Sequence, residues 1–188
     1  DLRMSRGLGD VYKRQVLQAM YGAVDLLVVG QFGTDAGISA VSTGSNVINL
    51  VTFVISELTM GVTVLIGRYL GENRHERIGK VIGGAIVFFA IMAAALMILL
   101  LAFAPQFASW LNAPKEAYDL TVTYIRICGA GILFVVAYNV ISGIFRGLGN
   151  SRLPLIFVAI ACVVNIVGDL VFVAVFKMNV AGAALATI

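Results

Sequence analysis

Charge is what this chain has least of. Asp, Glu, Lys and Arg make up 12% of its 188 residues while 60% are hydrophobic, against about 25% charged in ordinary soluble domains. With a mean hydropathy of +0.98, that scarcity excludes a water-soluble globular protein. The net charge of +3 is small and scattered, which argues against nucleic acid as a partner. Histidine occurs once, as His75 in a charged stretch, too little for a metal centre built on it. Only two cysteines are present, Cys128 and Cys162, each inside an apolar run, where cysteine reads as a small buried hydrophobe rather than half of a disulfide. No G-x-x-x-x-G-K-[S/T] occurs, so the chain carries no recognisable ATPase loop. Nothing in it reads as an enzyme or calls for an organic cofactor.

What is there is a series of long apolar runs. About 20 apolar residues span the hydrocarbon of a bilayer as a helix. The runs recur along the whole chain, so a signal peptide does not explain them. They predict an all-α, polytopic transmembrane helix bundle with five spans and the start of a sixth. The first span is Val16–Phe32 and the second runs from about Ile38 to Ile66. The third, about Val81–Ala104, is expected to stop at Pro105, whose ring cannot continue a helix. The fourth is about Tyr118–Ile144, and the fifth is Leu153–Phe176, with Pro154 in its first turn. Val180–Ile188 reads as the opening of a sixth span, too short to cross, so the polypeptide is expected to be part of something longer. Asp1–Gln15 carries six charges and little apolar periodicity. It reads as a separate segment, a remnant of sequence assembly rather than a native tail.

Orientation follows from basic residues in the short loops. Arg68, Arg74, Arg77 and Lys80 follow the second span, and Arg146 and Arg152 follow the fourth. The alternate loops hold none, Lys115 and Lys177. This asymmetry predicts a cytoplasmic N-terminus and puts Trp110 at the outer interface, where aromatic residues anchor.

Against that background the carboxylates Asp25 and Asp169 stand out. An acidic side chain at the centre of a membrane helix costs roughly 2.5–3.5 kcal/mol on insertion scales, which makes it a functional-site hypothesis by default. At 1.5 Å per residue, Asp25 lies about 7–8 Å from the outer end of its helix and Asp169 about 10 Å from the same side. Asn165, four residues before Asp169, shares its face. Tyr124 and Thr187 come to about 9 and 10 Å. Five polar residues from four helices thus fall in one outer-leaflet layer. Two carboxylates close together resist simultaneous ionisation, so one holds a proton near neutral pH. The same oxygens could instead ligate Na⁺. The plainer reading is a set of helix–helix hydrogen bonds, each about 0.6–2 kcal/mol.

Glu57, near the middle of the second span, is a third intramembrane acid, a candidate for facing a cavity and attracting a cation. Arg126 either snorkels to the outer surface or pairs with an acid. Gly79/Gly83 and Gly143/Gly147 both match G-x-x-x-G, the signature of close helix packing.

The residues resemble the multidrug and toxic compound extrusion (MATE) family of secondary transporters. The resemblance rests on VDLLVVGQFG in the first span, GVTVLIGRYLGE closing the second and YIRICGAGILF opening the fourth. GIFRGLGNSRLPL bridges the fourth and fifth, NIVGD lies in the fifth and GAALAT in the sixth. The stretch from Gln18 to Ile188 carries these pieces in order. Such a resemblance implies half of a twelve-helix, two-lobe transporter of a bacterial inner membrane, with residues 16–188 as a truncated amino-terminal lobe. It implies export of small amphipathic and cationic compounds in exchange for H⁺ or Na⁺, and a cation site on Asp25, Tyr124, Asn165, Asp169 and Thr187. Its partners would be membrane lipid, the substrates and the carboxy-terminal lobe of the same polypeptide. Two alternatives stand beside it: a lipid-linked saccharide flippase of the same superfamily, and a structural membrane subunit with no transport path.

Overall fold

A computed structural model describes residues 16, 23–24 and 26–188. Its described residues form helices and no strands. Residues 26–32 end the first helix, α1. Then follow α2 (Asp35–Gly71), α3 (His75–Trp110), α4 (Tyr118–Ala130), α5 (Ile132–Gly147) and α6 (Arg152–Asp169). A π-helical stretch, Leu170–Val175, extends α6, and α7 (Asn179–Thr187) closes the described chain.

Local chemistry explains the boundaries. The Gly37 N–H donates to Thr34 Oγ1 at 3.1 Å, so Thr34 caps α2, and Asp35 stands in its first turn, where a negative charge is favoured. At 37 residues α2 is about 55 Å long, well beyond the ~30 Å hydrocarbon thickness, so its charged end projects past the apolar slab. α2, α3 and the α6–π unit are each long and apolar enough to cross a membrane, and α4 with α5 forms a fourth crossing bent by 48°. The all-α, multi-pass expectation is borne out. Within Val16–Phe32, residues 17–22 and 25 lie outside the described residues, and α7 stands where the opening of a sixth span is expected.

One expectation needs correction. Pro105 does not end the third helix, which runs on to Trp110. Proline removes one backbone donor, yet membrane helices tolerate it where neighbours take up the freed groups. Here the Tyr118 hydroxyl donates to the Pro105 carbonyl at 3.0 Å, while Ala104 and Ala108, on either side of the proline, are both fully buried. The fourth span lies where it is expected, as the helix pair Tyr118–Ala130 and Ile132–Gly147. It breaks at Gly131, where a Cβ would overlap the Ile188 side chain of α7.

The two glycine pairs part company. A Cβ at Gly143 would overlap Thr59, and one at Gly147 would stand 2.8 Å from Ile66 Cβ and 2.9 Å from the Thr63 carbonyl oxygen. That seam of α2 against α5 is also hydrogen-bonded. Thr63 Oγ1 donates to the Gly143 carbonyl at 3.0 Å, and Ser56 Oγ to Asn139 Oδ1 at 3.0 Å. Gly79 and Gly83 have nothing within 4 Å, so the close-packing expectation fails for that pair among the described residues. The interior gathers Val41, Ile48, Ile55, Leu100, Ile125 and Ile132, whereas Phe53, Val64, Ile91 and Phe134 are more than 60% exposed. An exterior this apolar suits lipid, not water.

Candidate functional site

α6 presents Asn165 and Asp169 one turn apart on one face, and both are buried, to 6% and 0% exposure. Against α6 packs α7. A Cβ at Gly168 would stand 3.1 Å from Ala186 Cβ, and one at Gly182 would stand 3.0 Å from the Phe172 backbone carbonyl carbon. These two contacts set α6 and α7 antiparallel in a fixed register, and that register puts Thr187 at a level between Asn165 and Asp169. On its other side α7 runs parallel to α4, with Cys128 Sγ 4.0 Å from the Ala184 carbonyl oxygen and Gly131 against Ile188.

Tyr124, on α4, is 1% exposed, its ring laid flat where a Cβ at Gly44 of α2 would come within 2.5 Å. By the α4–α7 register it lies four to five residues from the level of Asp169, toward the start of α4, about 6–7 Å along the bundle. Thr187 is half-buried and donates to the Ala183 carbonyl at 2.8 Å. Asn165, Asp169 and Thr187 therefore lie at neighbouring levels of the α6–α7 pair, while Tyr124 is buried between α4 and α2. Asp25 lies outside the described residues.

Asn165 is the informative member. An amide offers two donors and an acceptor, and neither Asn165 Oδ1 nor Nδ2 has a hydrogen-bond partner among the described residues. Buried polar atoms almost always have partners, so an unmatched amide one turn from a buried carboxylate marks a place built for something polar. Immediately beyond Asp169 the backbone changes from α to π, a distortion that concentrates at functional sites.

The other candidates lie elsewhere. Glu57 is exposed on α2 among exposed Phe53, Val54, Leu58 and Met60. Arg126 is exposed on α4, away from the face that carries Tyr124.

One polar contact was not foreseen. Asn179 Nδ2 donates to Thr34 Oγ1 at 3.3 Å, and a Cβ at Gly33 or Gly37 would come within 2.8 or 2.5 Å of Asn179 Oδ1. Asn179 thus clasps the α1–α2 turn to the start of α7. The signal was a third G-x-x-x-G, Gly33–Gly37, inside a stretch that reads as a loop. Asn179 has φ 50°, a left-handed conformation that asparagine tolerates and alanine does not. Thermal unfolding in detergent should therefore show Asn179→Ala losing more than Asn179→Gly. Glycine keeps the backbone and forfeits only the hydrogen bond, about 1 kcal/mol. Equal losses would mean the strained backbone does not matter.

A multi-pass bundle of long apolar helices with a lipid-suited exterior and a fully buried carboxylate on α6 is the architecture of an integral membrane protein. The chain belongs to the MatE family, whose model matches residues 14–171, so the resemblance holds; it is a family of transporters, not of enzymes. It is 28% identical over 172 residues to "Probable multidrug resistance protein YpnP" of Bacillus subtilis, covering 92% of this chain and 39% of that protein. It is 25% identical to the "Multidrug export protein MepA" of Staphylococcus aureus, covering 92% and 38%. Among solved structures it matches a MOP superfamily transporter from Pyrococcus furiosus with TM-score 0.89 at 25% identity, covering 99% of this chain and 40% of that one. The chain thus spans about two fifths of the length of the relatives it matches.

Proposed function

We propose that this chain is the amino-terminal lobe of a drug and organic-cation exporter that works by exchange for H⁺ or Na⁺. Asp169 and Asp25 carry the coupling ion, with Asn165, Tyr124 and Thr187 as its polar neighbours. The observation that carries this reading is the buried Asn165–Asp169 face against α7, with an amide that lacks a hydrogen-bond partner among the described residues. A second lobe, supplied by the rest of the polypeptide, completes the path, because alternating access needs two lobes to rock against each other. The names of the bacterial relatives support a drug substrate. The basic α2–α3 turn supports a cytoplasmic N-terminus.

The test is ion-jump transport by the intact gene product in proteoliposomes. An imposed pH or Na⁺ gradient should drive uptake of a cationic dye, and the effective gradient names the coupling ion. Dye movement indifferent to both gradients would end the antiport reading. Movement of an anionic saccharide-lipid instead would move the assignment to a flippase.

A further inference from the structure

Where α2 ends and α3 begins, Tyr69, Arg77, Lys80 and Val81 line an open groove of about 380 Å³. It straddles a boundary present on both helices. On α2, exposed Val64 and Leu65 give way to Arg68 and Tyr69. On α3, Lys80 gives way to Val81, and exposed Ile86, Val87 and Phe88 follow. One wall is therefore cationic and its continuation apolar, the profile of a membrane–water interface.

The cations of this turn are not equivalent. Arg68 Nε lies 2.9 Å from Glu72 Oε1 and Arg74 lies 3.4 Å from Oε2. Chiefly the Arg68 hydrogen bond holds the Glu72 carboxyl below the usual carboxylate range, so these two arginines already have a counter-charge. Arg77 and Lys80 make no ion pair among the described residues. The Arg77 guanidinium stands 5.7 Å from the centroid of the Tyr69 ring, a cation–π distance that holds it at the groove.

We propose that this groove binds the phosphate of an anionic phospholipid headgroup. Arg77 and Lys80 meet the phosphate oxygens, while the Tyr69 ring and Val81 meet the glycerol and first acyl carbons. A lipid fits better than a soluble phosphate because only a lipid also uses the apolar wall and the exposed side chains running on from it. Clustered Lys and Arg beside a membrane helix end favour anionic lipid generally. The pairing with Glu72 confines the effect here to two named residues.

The experiment titrates phosphatidylglycerol, and separately phosphatidylcholine, into the purified intact gene product, with bound lipid counted by native mass spectrometry. Phosphatidylglycerol should be retained preferentially. Arg77→Gln with Lys80→Gln should weaken retention roughly 25-fold, from about fivefold per cation, and Arg68→Gln should leave it within about twofold because Arg68 does not line the groove. If the double variant fails to assemble, Lys80→Gln alone should show the fivefold step. Three results would overturn the site: no preference between the lipids, Arg68→Gln weakening retention as much as the double variant, or inorganic phosphate displacing the lipid at equal concentration.

Discussion

Asp169→Asn in the intact gene product should reduce drug export to the level of cells lacking the transporter, with the amount of protein in the membrane unchanged. The two side chains have nearly the same shape, so the packing of a residue with 0% exposure is preserved and only the titratable charge is removed. In a low-dielectric interior that charge decides whether a proton or a cation is held. Asp25→Asn should behave alike if the two carboxylates form one coupled site. Resistance assays give the first readout and fluorescence of a tagged protein the second. Normal export in both variants would sink the assignment. Loss of Asp169→Asn protein from the membrane would instead make that carboxylate a structural group.

The reach of the sequence differs between these features for physical reasons. Asp169 was legible because a carboxylate in hydrocarbon is costly enough to stand out from one residue type alone, and its burial on α6 beside Asn165 follows from four-residue spacing. Relative level along the helices was legible in part from helical rise, since Thr187 falls between Asn165 and Asp169 in the α6–α7 register. Facing direction was not: in a membrane the lipid-exposed face of a helix is as apolar as the packed one, so Phe53 and Ile55 look alike in sequence and differ entirely in the fold. For the same reason Gly33 and Gly37 hid their role, since only the fold places Asn179 against them. The end of the third helix was misplaced because Pro105 states a local cost, while Ala104, Ala108 and the Tyr118 hydroxyl supply the tertiary compensation. At the Gly131 break the space for a side chain is taken by Ile188, more than fifty positions away, and no local pattern encodes that contact.

That contrast between faces leads to the second large effect. Gly147→Val should all but eliminate correctly folded protein, and Gly143→Leu should do the same. At Gly147 a first carbon already stands 2.9 Å from a backbone oxygen of α2 and 2.8 Å from Ile66 Cβ, and backbone cannot swing aside as a flexible side chain can. Overpacking costs about 1–3 kcal/mol where a core relaxes, and this seam would have to open instead, losing the hydrogen bonds from Thr63 and Ser56 that span it. With total stabilities of only about 5–15 kcal/mol, one such wedge removes most of the folded population. The matched control uses the other motif. Gly79→Ala and Gly83→Ala meet nothing within 4 Å and should be neutral or stabilising by up to about 1 kcal/mol, since alanine is the better helix former. Size-exclusion profiles of the four fluorescently tagged variants read the outcome directly. If the Gly79 and Gly83 variants collapse while the Gly143 and Gly147 variants survive, then α3, not α5, carries the tight helix contact and the bundle is packed differently from the arrangement described above.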